Sequence, residues 1–154
     1  MTKMNKTVWI VLFAVFFAAA FLLGAAGILS LGQSDESVRV SRIVYKADIR
    51  FAEEGLLTLE DVVYTPTSFT ASVSGTLISK TEDGYSVDMT VPAQRVDFRQ
   101  KSDDQWYCRL SSGNEKITLY AYRSKLVTVN DETAYGKINY LQYGSTDYMF
   151  DGEE

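Results

Sequence analysis

From Val38 onward the apolar side chains of this chain return at every second residue. The segment KITLYAYR sets Ile117, Leu119 and Ala121 against Thr118, Tyr120 and Tyr122, and YSVDMTV sets Tyr85, Val87, Met89 and Val91 against Ser86, Asp88 and Thr90. FTASVSGTLI alternates Phe69, Ala71, Val73, Gly75 and Leu77 with small hydroxyl residues. Successive Cβ atoms of an extended strand point to opposite faces, so a period of two gives each segment one apolar and one polar side. A helix of the same sequence would mix them. The β-branched and aromatic content of these segments favours strands for the same reason.

Turn chemistry falls between the alternating runs. Thr81-Glu82-Asp83-Gly84 carries Asp-Gly, a strong hairpin signal. Ser111-Ser112-Gly113-Asn114, Lys101-Ser102-Asp103-Asp104 and Asn130-Asp131-Glu132 are further polar breaks. This segmentation predicts strands near 38–51, 57–65, 69–80, 85–91, 94–100, 105–110, 115–123, 125–129 and 137–143. Pro92 lacks an N–H, so its run is expected to be an edge, a bulge or two pieces. The fold class is mainly β: an antiparallel β-sandwich or barrel-like domain over 38–150, with a frayed acidic tail at 151–154. The stretch LVTVNDETAYGKINYL resembles the strand-turn-strand repeats of lipopolysaccharide-transport jelly rolls. That resemblance is one of fold and carries no site residue.

Ahead of this domain the pattern is different. Thr7 to Gly32 contains no charged side chain. About 20 apolar residues in a helix cross a hydrocarbon core of about 30 Å, so 7–32 reads as a single transmembrane helix. A cleaved signal has an apolar centre of only about 7–15 residues. Here Ile28, Leu29 and Leu31 keep the run apolar beyond the small cluster Gly24-Ala25-Ala26-Gly27, so a retained signal-anchor is expected. Lys3 and Lys6 precede it without a neighbouring acid, which keeps residues 1–6 in the cytoplasm and sends the β-domain outside. The membrane is then that of the cell or of the secretory pathway. Ala14 with Ala18, and Ala20 with Gly24, are small residues four apart, a spacing that lets helices approach closely in lipid. A short spacer, 33–37, holds the domain near the bilayer.

Charge and residue types narrow the chemistry. Setting aside Lys3 and Lys6, the rest of the chain holds 13 basic and 20 acidic residues, a net of −7. That balance argues against nucleic acid, which needs clustered Lys and Arg. The chain has no histidine and a single cysteine, Cys108. Ser-His and Cys-His pairs are therefore impossible, and a zinc site lacks its usual donors. Ser79-Lys80 and Ser124-Lys125 are adjacent on strands and point to opposite faces. The carboxylate pairs Glu53-Glu54, Glu60-Asp61, Glu82-Asp83, Asp103-Asp104 and Asp131-Glu132 mostly occupy turns, where acids are simply solvated. No catalytic residue, metal site or cofactor is expected.

Tyrosine is the one excess, with ten residues. Tyr120 and Tyr122 stand opposite the apolar face of their strand, and outward Tyr combines large area with a polar tip, as interface anchors do. Tyr120, Tyr122 and Trp106 are the expected contact residues. The chain thus reads as a single-pass, membrane-anchored accessory or scaffold subunit, without enzymatic activity, whose β-domain meets protein partners in a membrane complex. The alternative is an envelope module that binds glycan or lipid on a concave face or in a barrel mouth.

Overall fold

The computed structural model describes residues 37–129 and 132–154. The apolar run, with the anchor helix expected there and its packing residues Ala14, Ala18, Ala20 and Gly24, lies outside the described residues. Among the described residues no helix is long and apolar enough to cross a membrane.

All regular structure among the described residues is β-strand: β1 (Val38–Ala47), β2 (Leu56–Tyr64), β3 (Phe69–Thr81), β4 (Gly84–Gln100), β5 (Gln105–Ser112), β6 (Glu115–Val129), β7 (Glu132–Tyr143) and β8 (Thr146–Glu153). Each pairs antiparallel with the next, and β8 returns to β1, so eight strands close into a ring. Every connection joins neighbours. A jelly roll needs strands that leave one sheet for another, so the resemblance noted at residues 126–141 does not extend to topology.

Strand boundaries depart from the sequence-based expectation in several places, β1 ending at Ala47 and β7 beginning at Glu132 among them. The runs 85–91 and 94–100 form one strand, β4, whose register shifts between Val91 and Gln94, the bulge expected as one outcome at Pro92. No pairing on either side involves Pro92, so its missing N–H costs no rung. The runs 115–123 and 125–129 likewise join as β6. The acidic C-terminus, expected to fray, closes the ring instead. Glu153 lies opposite Ile43, the backbones of Glu154 and Arg42 exchange bonds at 2.9 and 3.2 Å, and Lys137 bridges Glu153 at 2.6 Å.

An eight-stranded barrel is just wide enough for side chains to fill its interior. Tyr45, Phe69, Trp106, Arg123 and Tyr148 are all at most 1% exposed, and Leu57, Leu59, Leu77, Leu110 and Leu119 are fully buried with them. Phe69 is at the centre of an aromatic cluster. It stacks on Phe98 at 4.1 Å and meets Tyr64 and Trp106 at 5.7 and 5.8 Å. Each such large apolar side chain contributes about 1.5–3 kcal/mol on burial.

The barrel is not regular, and its irregularities have partners. The register slips between Leu77 and Ile78, which turns backbone polar groups of β3 inward. The buried Tyr148 hydroxyl accepts from Ile78 N–H at 2.9 Å and donates to Thr76 C=O at 3.1 Å. A second slip, between Tyr122 and Arg123, does the same at Ile138. Tyr45 donates to Ile138 C=O at 2.9 Å, and Tyr64 accepts from Ile138 N–H. In β2 the bulge at Asp61, where φ is 49°, leaves a carbonyl that Arg95 reaches at 2.7 Å. Unpaired buried backbone groups cost about 1–3 kcal/mol each, so these side chains are what make the slips tolerable.

Candidate functional site

The Gly113-Asn114 turn fixes which residues face one another across β5 and β6. With Ser112 opposite Glu115, Tyr107 falls opposite Tyr120 and Gln105 opposite Tyr122. On β7, Gln142 lies opposite Tyr120 and Tyr140 opposite Tyr122; on β8, Asp147 and Met149 follow. All of these side chains project outward, because Trp106, Cys108, Leu110, Leu119, Ala121 and Leu141, which alternate with them, are buried. The outer surface of β5 to β8 is therefore a block of tyrosines and amides.

The block is organised by its own bonds. Gln105 donates to the Tyr122 hydroxyl at 2.8 Å, Tyr122 donates to Gln142 at 3.0 Å, and Gln142 donates to the Asp147 carboxylate at 2.9 Å. One directional chain thus crosses four strands. The rings of Tyr122 and Tyr140 lie face to face, with centroids 4.3 Å apart and planes 11° from parallel. Half-burial of Tyr140, beside Tyr122, pushes its phenol above the ordinary range. Tyr120 carries the Lys101 ammonium 4.8 Å above its ring. Side chains held this way lose little freedom when a partner arrives.

Of the three contact residues expected from the sequence, Tyr120 and Tyr122 stand in this outer block. Trp106 does not join them. It points into the barrel at 1% exposure, because it shares strand parity with Cys108 and Leu110. Its ring packs edge-on against Tyr135 at 5.3 Å. Tyr107, Tyr140, Gln105 and Gln142 were not singled out by the sequence pattern alone. The two-residue turn at Gly113-Asn114 held the signal for the first, since it sets the β5–β6 register.

Beneath Trp106 lies the least expected group. Arg123, 1% exposed, has its guanidinium carbon 5.1–5.6 Å from the ring centroids of Trp106, Tyr64, Phe69 and Tyr135. No carboxylate pairs with it among the described residues. Its N–H groups go to carbonyls of Gly136 (2.7 Å), Thr65 (3.0 Å), Ser68 (3.2 Å) and Tyr135 (3.2 Å). Burial lowers its pKa to about 10. Four of its five N–H donors are taken by backbone carbonyls and the group is enclosed by rings, which makes Arg123 a tie between the Thr65–Ser68 turn and β7.

Other groups with chemical potential are accounted for locally. Cys108 is inside the barrel, and burial pushes its thiol up to about 12, far from a reactive thiolate. Lys80 is bridged to Asp48 at 3.0 Å and Ser79 bonds Asp88. Among the described residues no group of His, Cys, Asp or Glu is arranged to hold a metal ion. Phe51 is 83% exposed at a φ of 67° in the β1–β2 connection, with Arg50 over its ring at 5.1 Å. No family model, curated protein or solved structure matches the chain.

Proposed function

We propose that this protein is a non-enzymatic accessory or scaffold subunit, held in a membrane by its N-terminal apolar run and presenting the outer face of β5 to β8 to a protein assembly. The observation that carries the reading is the hydrogen-bonded chain Gln105–Tyr122–Gln142–Asp147 with the stacked Tyr122–Tyr140 pair. It is a rigid, half-exposed tyrosine surface of the composition that interface hot spots favour. The packed interior supports the same choice over a lipid carrier, since the space such a ligand would take holds Tyr45, Phe69, Trp106, Arg123 and Tyr148. The charge-free run from Thr7 to Gly32 and the basic residues ahead of it support anchoring with the barrel outside the cytoplasm.

The test is co-purification of the full chain from detergent-solubilised membranes. A stoichiometric protein partner is expected, and Tyr120→Ala with Tyr140→Ala is expected to release it while leaving the barrel folded by near-UV circular dichroism. A full-length chain that elutes alone under mild detergent defeats the reading.

A further inference from the structure

The outer face of the barrel is not uniformly acidic. Arg99 lies opposite Tyr107 across β4 and β5, and Arg109 follows Tyr107 on the same side of β5. Arg109 lies opposite Thr118, and Lys116 precedes Thr118 on the same side of β6. Lys101 covers Tyr120. Strand spacing of about 4.8 Å and a rise of about 3.4 Å per residue put the backbones of Arg99, Arg109 and Tyr107 within about 8 Å of one another. Arg99, Lys101, Arg109 and Lys116 are all exposed, and none is in an ion pair: the pairs among the described residues are Arg42–Glu154, Lys80–Asp48 and Lys137–Glu153. Arg95, on the same strand as Arg99, is already spent on Asp61 C=O and Thr70. Lys101 is held by Tyr120, over its ring and 3.4 Å from its hydroxyl, which leaves Arg99, Arg109 and Lys116; against these the face sets Asp97, with Asp103, Asp104 and Glu115 at the turns that bound it.

Arg99, Arg109 and Lys116 gather around Tyr107 with Asp97 as the one acid on the strands between them, and so make a local cationic patch on a chain whose net charge is −5. We propose that this β4–β6 face docks an acidic segment of a partner protein, its carboxylates meeting Arg99, Arg109 and Lys116 while Tyr107 and Tyr120 supply contact area. The inference rests on the scaffold reading above and names the chemistry of the partner. A peptide is favoured over an acidic glycan by the state of the neighbouring tyrosines. Tyr122 and Tyr140 cover each other's ring faces, and the Tyr122 hydroxyl already donates and accepts within the face. A sugar needs open ring faces and free hydroxyl partners; a carboxylate needs only the cations, and Arg offers it a two-pronged fork.

The experiment uses the full chain in detergent and reads the fluorescence anisotropy of a labelled oligoglutamate peptide, with an oligogalacturonate of equal carboxylate number as the glycan arm. Oligoglutamate is expected to bind more tightly than oligogalacturonate and to be released by rising NaCl. Arg99→Gln with Arg109→Gln is expected to weaken it about tenfold or more, and Lys46→Gln, on the outer face of β1, to leave it unchanged. Absence of binding, equal loss in Lys46→Gln, or tighter binding of the glycan overturns the proposal. A stoichiometric partner that survives detergent while oligoglutamate fails to bind would sink the charge assignment and leave the scaffold reading standing.

Discussion

The side-chain amide of Gln94 stands in for a peptide group opposite Ser111. Its Oε1 accepts the Ser111 N–H at 2.8 Å and its Nε2 donates to the Ser111 carbonyl at 2.9 Å. The substitution is needed because β4 and β5 share backbone pairing only at Arg99–Tyr107 and Gln100–Trp106. Beyond those two rungs the strands part, and the gap is crossed by side chains: Gln94 to Ser111, and the Ser112 hydroxyl to Thr90 C=O at 2.9 Å. The barrel is closed, but this seam has the fewest backbone rungs of any in the ring. Gln94→Leu is expected to destabilise the protein by about 1–3 kcal/mol, the cost of two unmade bonds at a half-buried site. Gln94→Glu keeps the acceptor and loses the donor, and should fall between wild type and Gln94→Leu. Urea titration followed by Trp106 emission measures both; indifference to Gln94→Leu would show that the seam does not rely on it.

Gly75 permits the tightest approach in the sheet. Its φ is +141°, and a Cβ placed there would lie 2.1 Å from the Leu56 carbonyl oxygen and 2.9 Å from Leu57 Cα. Both obstacles are backbone, so no side-chain rotation relieves the contact. The glycine lies at a register slip of β3 against β4, between Val73 and Gly75. Gly75→Ala should therefore separate β2 from β3, with a loss of about 3 kcal/mol or more. Gly113, at a φ of 60° but with nothing near its Cβ position, is the control. Gly113→Asn should cost about 1 kcal/mol or less, since Asn tolerates the left-handed region. Thermal unfolding midpoints of the two variants decide whether clash or φ governs.

Alternation and turn residues made the β class and most strand positions legible, and the structure shows why some readings failed. Trp106 carries the same parity as Cys108 and Leu110, so strand alternation places it inside, whereas its aromatic type alone suggests a surface contact. Arg123 shares parity with Leu119 and Ala121, and its burial rests on carbonyls supplied by β7 and by the Thr65–Ser68 turn, the latter 55–58 residues away, a convergence that no window of the sequence displays. Pro92 reads as an edge, a bulge or a break because a proline denies a rung, and the bulge is what forms, where β4 shifts register against β3 and leaves β5. The last strand was missed because its acidic end looks like a solvated tail. Its value lies in closing a ring, a property of the whole sheet and not of any window. The register slips at Ile78 and Ile138 depend on Tyr148 and on Tyr45 with Tyr64, which lie between 70 and 93 residues away in sequence.

Arg123 offers a sharper test of the interior. Its four carbonyl bonds use the planar fork, which lysine cannot reproduce with a single ammonium. Arg123→Lys keeps the charge, leaves some of the carbonyls of Thr65, Ser68, Tyr135 and Gly136 unpaired, and should cost about 2–4 kcal/mol. Arg123→Met removes the desolvated charge but takes the donor from the carbonyls of Thr65, Tyr135 and Gly136, while Ser68 C=O keeps its bond from Thr65 N–H at 2.9 Å, and it should be at least as costly. Emission from Trp106 should shift in both, because the cation 5.1 Å from its ring is moved or lost. A methionine variant more stable than wild type would mean that the buried charge outweighs the bonds it makes.

The pH dependence of stability should be flat near neutrality and fall in base. The chain has no histidine, so no side chain of ordinary value changes charge across about pH 6 to 8. Above that window, burial pushes Cys108 from 9.0 to about 12, and Tyr64 and Tyr148 from 10.0 to about 12. Tyr45 is driven up by burial as well, with the neighbouring Tyr64 adding to it. The unfolded chain releases these protons while the folded barrel still holds them, so stability is full below pH 9 and is lost as pH climbs toward 12. Arg123 opposes this trend: with burial lowering its value to about 10, the unfolded chain binds the extra proton above that pH, and the group adds stability as pH rises. These four raised groups, with Tyr140 and Tyr143 raised in the same direction, against one lowered guanidinium leave a net fall. Tyr148→Phe removes one of the four, so it should be less stable at pH 7, having lost the bridge to Ile78 and Thr76, and should show a shallower alkaline decline. Urea midpoints taken across the range, with tyrosinate absorbance recorded in parallel, measure both effects. A barrel whose stability holds constant or rises up to about pH 11 would contradict the buried phenols and thiol.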